Sequence, residues 1–384
     1  MFFIFNDYKL IYTVRIAINT RFLLDGRLEG IGVFTKEVIS RMVLSHPEVE
    51  FFFFFDRPYD ASFVFSDNVT PVVIYPPARH PILWYLWFEW AIPYYLKKHN
   101  IDHFFSPDSY LSLRTKIPQT VVIHDLAFEH FPEAIGGMVS AFYSNFLPKY
   151  TRKAKQIITV SNFTKNDIIE KYGVHSSKIE VTYNAADAKF KPLNSNQQDD
   201  VRSEYTNNVP YFLYVGALHP RKNIGRLLQA FDEFKKRTNS ETKLLLVGRK
   251  AWGNEEMEMV YNAMKHKKEV LFTGRVTDEN LVKIYASCHA LVYVPYFEGF
   301  GMPIVEAQAC GVPVITSNIS SMPEVLGEAG VLVDPFSIES ICGAMESLDE
   351  NVALCDLLVL KGQENLTRFN WQETADTIFN LISK

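Results

Sequence analysis

Short apolar runs alternate with amphipathic stretches along nearly the whole chain, and that alternation admits few folds. The runs VRIAIN (14–19), EFFFFFD (50–56), HFFSP (103–107), QTVVIHD (119–125) and QIITVS (156–161) read as strands. Helices are predicted over 32–45, 138–153 and 162–172 between them. A second series follows at 211–218, 242–248, 270–274, 290–295, 312–317 and 330–335, with a helix predicted after Asn223 as its N-cap. Strands buried on both faces read as continuous apolar runs, and strand–helix alternation implies parallel sheets. The polar stretch at 183–200 is the predicted linker. The expected fold is α/β: two Rossmann-like, doubly wound domains with a cleft between them, divided as 1–190 and 191–368. Ligands of such sheets bind beyond the carboxyl ends of the strands.

Composition narrows the function. The chain has 384 residues, too many for one core of ordinary size, and 22% charged residues against 47% hydrophobic ones, the balance of a globular protein. A net charge of −5 argues against a general nucleic-acid partner. Cys288, Cys310, Cys342 and Cys355 form no CxxC pair, so a cytoplasmic setting without disulfides is expected. The opening MFFIFNDYKLIYTVR is broken by Asp7 and Lys9 and is not read as a secretory leader. PILWYLWFEWAIPYYL (81–96) is too short to span a bilayer. It reads either as a buried or groove-lining helix or as an aromatic surface for a membrane or lipid-like acceptor, with Trp84 and Trp87 as acceptor-side candidates.

The densest chemistry lies in YFEGFGMPIVEAQACGVP (296–313). A strand ends at Pro295, a glycine turn follows, and Pro303 suits the first turn of a helix that stops at Gly311. A helix start after glycines is an anion site. Glu298 and Glu306 flank it, and carboxylates accept hydrogen bonds from vicinal hydroxyls, so the pattern suits a sugar at each end of a diphosphate. YVGALHPRKN adds Gly216 at a strand end, then Arg221 and Lys222 before a helix, where cations complement a diphosphate leaving group. VVIHDLAFEH places His124 and Asp125 at another strand end. With Glu129 and His130 they lack any metal-ligand spacing, so no metal is expected. Gly30 and Gly32 precede a helix, but Thr35 stands at the third position of a dinucleotide fingerprint, which weakens an oxidoreductase reading that Asp56 would otherwise support.

Taken in order, GIGVFTKEVI, IHDLAFEHFPE, TVSNFTKNDI, YVGALHPRKNI, the run from FTGRVTDENL to EAQACGVPVI, and MPEVLGEAGVLVDP resemble the retaining GT-B glycosyltransferases of family 4, the glycosyl transferases group 1. The resemblance covers nearly the whole chain, and the PRKN and YFEGFGMP stretches are most similar to mannosyltransferases of polysaccharide assembly. It implies that Glu298 holds donor-sugar hydroxyls and Glu306 the ribose. Phe300, Gly301 and Met302 would lie along the sugar and diphosphate, and Arg221 and Lys222 would neutralise the leaving group. Gly32 would allow approach to the donor, His124 would touch the sugar, and Gly274, Arg275 and Val276 would sit against the base. It also implies a C-terminal helix (369–384) belonging to the N-terminal half. Ala217 replaces an arginine common among relatives, and NAAD replaces their NG-acid sequence.

The sequence-based expectation is therefore a metal-independent, retaining hexosyltransferase without a cofactor. Its donor would be a nucleoside diphosphate sugar, GDP-mannose ahead of a UDP-hexose. Its acceptor would be a surface glycan or lipid-linked sugar, reached from the inner face of the membrane. The rivals are an NAD-dependent oxidoreductase and a catalytically inactive sugar-binding module.

Overall fold

The computed structural model describes residues 13–26, 28–134, 136–249 and 255–384. The stretch read for a leader lies mostly outside them. Seven strands form the first sheet: β1 (Arg15–Asn19), β2 (Glu50–Phe55), β3 (Val69–Val73), β4 (His103–Ser106), β5 (Gln119–Ile123), β6 (Gln156–Thr159) and β7 (Ile179–Val181). Their order is β3-β2-β1-β4-β5-β6-β7. Six form the second: β8 (Tyr211–Val215), β9 (Lys243–Val247), β10 (Val270–Gly274), β11 (Ala290–Tyr293), β12 (Val314–Ser317) and β13 (Val331–Val333), in the order β10-β9-β8-β11-β12-β13. Strand pairs run parallel, for example β1 with β2 and β4, and β8 with β9 and β11. Both sheets are doubly wound, as the alternation predicts. Their order reverses between β1 and β4 and between β8 and β11, which are the places where such sheets open a crevice.

The strand β2 shows why the apolar runs are unbroken. Phe51 to Phe55 are all buried, because parallel strands carry helices on both faces. The two strands missing from the sequence reading, β3 and β7, are sheet edges. Pro71 inside β3 lacks an N–H, which an edge strand tolerates, and β7 has only three residues. The predicted linker is partly helical instead. Its polar residues form a capping box, Asn194 with Gln197, that starts a helix over Ser195–Thr206.

The aromatic segment 81–98 splits into an α-helix (Pro81–Leu86), a π-helical turn (Trp87–Ala91) and an α-helix (Ile92–Lys98). One side is core. Trp87 is fully enclosed, its indole N–H donating to the Ile74 carbonyl at 3.0 Å. Glu89 is buried and accepts from the Leu113 amide, while burial raises its pKa. The other side exposes Ile82, Tyr85, Leu86, Trp90 and Tyr94.

By its contacts the chain forms two compact units. The first takes the chain up to Ile123, Asn145–Ile158 and Gln372–Lys384. In it the C-terminal helix, Trp371–Ile382, buries Ala375, Ile378 and Ile382, and Phe379 stacks on His46. The second takes His124–Ser144 and Thr159–Trp371, so that His124 and Asp125 belong to the same unit as the second sheet.

Candidate active site

The crevice between the carboxyl ends of β8 and β11 holds an ionic cluster. β8 gives way at Gly216, whose φ of +146° lets the chain leave the sheet sharply. A 3-10 turn, Pro220–Lys222, then presents two cations. β11 ends at Tyr293, and five residues later Glu298 turns back toward them. The Arg221 guanidinium donates to Glu298 Oε1 at 2.7 Å, and the Lys222 ammonium donates both to the same oxygen and to the Tyr293 hydroxyl. The side chains of Glu298, Lys222 and Arg221 are only 12%, 15% and 20% exposed, so this is not a solvated surface pair. Asn223 stands at the next helix's N-cap position but does not cap it. Its side-chain amide donates instead to the carbonyls of Val294 and Pro335, tying the cation turn to the exits of β11 and β13.

Burial works against charge here, and the cluster overcomes it. Glu298 is pushed up by desolvation, yet Lys222 and Arg221 outweigh this and hold the carboxyl below its usual value. Desolvation pulls Lys222 below the usual ammonium value despite Glu298. Arg221 is raised: burial opposes its charge, but Glu298 and then Asp125 favour it more strongly. With Asp125 also acting on Arg221, the two cations face two acidic groups, and what the cluster presents at the crevice is a pair of fixed N–H donors.

The glycine turn explains how Asp125 reaches this cluster. A Cβ on Gly299 would overlap the His124 carbonyl oxygen and stand 2.9 Å from Asp125 Cβ, so only glycine fits. The turn is pinned from both sides. The Ser161 hydroxyl donates to the Gly299 carbonyl at 2.6 Å, and the Ser321 hydroxyl donates to those of Glu298 and Phe300. Gly301, at φ +97°, then starts the helix Met302–Ala309, with Pro303 in its first turn. Glu306 lies on that helix and accepts from the Tyr285 hydroxyl at 2.7 Å. Burial pushes its carboxyl up to about 7, against the pull of Tyr285 and Lys189.

The structure thus brings His124, Asp125, Arg221, Lys222, Glu298 and Gly301 onto adjoining loops of one unit, with Glu306 on the helix that follows Gly301. Phe300 is buried, packing near Tyr183 and Phe369, so only its backbone is left to face a ligand; Met302 opens the helix beside it. Gly274 ends β10 at φ +69°, followed by exposed Arg275 and half-buried Val276. Gly32 has a packing reason of its own, because a Cβ there would stand 2.7 Å from the Phe22 carbonyl oxygen. Trp84 is half-buried with its indole N–H on the Ala78 carbonyl. Trp87 offers no face to an acceptor, and its candidacy falls to its burial. Sequence reasoning missed Tyr293, Ser161 and Ser321. For Tyr293 there was a signal, a hydroxyl at the end of an otherwise apolar strand; for the serines there was only a helix-capping pattern. Among the described residues, no group of three or more His, Cys, Asp or Glu side chains could hold a metal ion.

Comparison with known proteins decides the family. The model for Glycosyltransferase Family 4 matches residues 28–190, and that for Glycosyl transferases group 1 matches 196–363. The chain is 31% identical to O-antigen chain mannosyltransferase B of Escherichia coli over 292 residues, 75% of each chain. The chain is a family 4 glycosyltransferase. It is also 30% identical to O-antigen chain mannosyltransferase RfbU of Salmonella typhimurium over 273 residues, 70% of this chain and 71% of that one. Among solved structures, Anabaena HepE in complex with UDP and glucose superposes on the glycosyltransferase with a TM-score of 0.74 at 16% identity, covering 96% of this chain and 99% of HepE. That likeness shows the shared GT-B fold.

Gly299→Ala in the glycosyltransferase forces the His124 carbonyl aside and lowers stability by about 1–3 kcal/mol, the usual range for overpacking. Gly30→Ala, with open space around the new methyl, leaves stability within about 0.5 kcal/mol. Denaturant unfolding of both variants measures the contrast; equal effects would show that the turn is not tightly seated.

Proposed function

We propose that this glycosyltransferase moves mannose from GDP-mannose to a surface glycan or lipid-linked sugar, with retention at the anomeric carbon. The observation that carries the reading is Glu298 held against Arg221 and Lys222 at the crevice of the second sheet. In it the diphosphate lies against the two cations. Cleavage of the sugar–phosphate bond adds one negative charge to the leaving group, so their attraction grows in the transition state and accelerates the step. Glu298 orients the donor sugar through its hydroxyls, and Glu306 accepts those of the ribose. The acceptor hydroxyl attacks from the leaving group's own face, and a diphosphate oxygen takes its proton. No side chain has to act as the base, and Arg221 and Lys222 supply the charge a divalent cation would otherwise bring. The relatives' names, two O-antigen chain mannosyltransferases, support the choice of sugar and acceptor.

Among the described residues no helix is long and apolar enough to cross a membrane. The exposed stripe Ile82, Tyr85, Leu86, Trp90 and Tyr94, with Lys97 and Lys98 exposed beyond it and Arg114 stacked on Trp90 at 3.7 Å, suits peripheral contact with an anionic bilayer where a lipid-linked acceptor resides. The protein then sediments with phosphatidylglycerol vesicles, and Trp90→Ala/Tyr94→Ala weakens this severalfold; undiminished sedimentation would remove the membrane role.

Glu298→Gln keeps the shape and removes the charge. Transfer of radiolabelled mannose from GDP-mannose should fall about 100-fold or more, in a protein that still folds by circular dichroism but melts earlier because two cations lose their partner. Full activity in that variant would sink the assignment. The pH dependence follows from Glu306. Below about 7 its carboxyl is protonated in the free protein, and ionisation is needed to accept both ribose hydroxyls. Donor affinity therefore strengthens as pH rises through 7 and weakens by up to about tenfold per unit below it. Titration calorimetry across that range should show this slope in the wild type and its loss in Glu306→Gln.

A further inference from the structure

Glu129 and His130, in the stretch that follows β5, take no part in the chemistry proposed above. They close the short helix Ala127–His130, and both reach the helix Asn162–Tyr172. Glu129 accepts from the Tyr172 hydroxyl at 2.7 Å. His130 Nε2 meets both Asp167 oxygens, at 3.0 and 2.8 Å. An ionised carboxylate only accepts, so Nε2 carries the proton and the bond is charge-assisted. The side chain of Asp167 is only 6% exposed, so little water competes for it. The imidazole it holds packs on Phe297. That ring is buried, 4.6 Å from the ring of His130, with those of Phe163 and Phe131 edge-on at 5.4 and 6.0 Å. Phe163 and Asp167 are four residues apart, so one helix face supplies one wall of this socket and the anchor of another. The backbone of Phe297 is fixed as well. The Arg221 guanidinium donates to its carbonyl at 2.5 Å and to the carboxylate of the next residue, Glu298, at 2.7 Å. A carboxylate held by cations alone can follow them, whereas Glu298 is also tied to a ring that cannot shift without displacing His130.

We propose that His130 is a positioning residue: tethered by Asp167, it holds Phe297 in its socket and so aims the Glu298 carboxylate. This rests on the reading that Glu298 orients the donor sugar. An imidazole suits the place because one ring gives both a flat face for Phe297 and an N–H for a buried carboxylate. A phenyl ring gives only the face, and an amide only the N–H. Burial raises the Asp167 carboxyl above its usual value, against the pull of His130, so a chain without the imidazole can hold Asp167 neutral and still fold. What such a chain loses is aim. A displacement of about 1 Å at a group that orients substrate costs up to about 100-fold in rate. Donor binding suffers less, because in the same reading the diphosphate and ribose are met by Arg221, Lys222 and Glu306. The loss therefore falls on kcat.

The test is a double-mutant cycle on transfer from GDP-mannose by the full chain, using the wild type, His130→Ala, Glu298→Gln and the two combined. His130→Ala lowers kcat about tenfold and leaves the KM for GDP-mannose within about twofold. In the Glu298→Gln background the same change costs less than about twofold, since the carboxylate it aims is gone. His130→Phe keeps a ring on Phe297 but cannot bond Asp167. It shows the same pattern with a smaller loss, and it stands in for His130→Ala should that variant not fold by circular dichroism. Equal losses in both backgrounds, a loss in KM alone, or an unchanged kcat overturns the role of His130 and leaves the reading of Glu298 standing. A wild type that transfers no mannose from GDP-mannose overturns the functional reading and this proposal together.

Discussion

A carboxylate set between two cations, all three largely withdrawn from solvent, organises the second half of this molecule. Glu298, Arg221 and Lys222 are each expensive to desolvate alone, and each is tolerated because the others are there. The pairing requires that the loop after β8 and the loop after β11 meet, which they do because the strand order places those strands side by side. Asn223 and Ser321 then fix the two loops with hydrogen bonds to backbone carbonyls. The same charges that hold the loops are those the leaving group would meet, so folding and chemistry share one set of side chains.

Two residues of the same chemical type are used in opposite ways. Glu298 stays ionised because the cations overcome its burial. Glu306, half-buried with a tyrosine hydroxyl and with no cation in hydrogen-bond contact, is pushed up by desolvation to about 7. Environment sets the difference, since the sequence spacing of the two acids carries no information on which has a cation beside it.

The aromatic segment 81–98 also serves two ends. Its inner face is core, with the Trp87 indole on the Ile74 carbonyl and Glu89 accepting from the Leu113 amide, and its outer face is a stripe of exposed Tyr, Trp and aliphatic side chains. The two readings of the sequence there were not exclusive. A helix of such composition has enough apolar residues to satisfy both faces, and hydropathy alone does not say which residue points where.

Strand–helix alternation was legible because parallel strands covered on both sides must be apolar throughout, as β2 is, and helices between them must be amphipathic. The glycine turn and the helix start at Met302 were legible because Gly and Pro constrain the backbone locally. The edge strands β3 and β7 were not, one carrying a proline and the other having three residues, and the capping box at Asn194 was mistaken for a linker. Local chemistry thus determined the fold class, the doubly wound sheets and the identity of the charged groups. Only the tertiary structure decided which of them meet. Arg221 and Glu298 are far apart in the chain, and Gly299 touches a carbonyl at His124 from a different sheet's strand end. Such contacts are set by strand order and loop packing, and no property of a residue's neighbours in sequence encodes them.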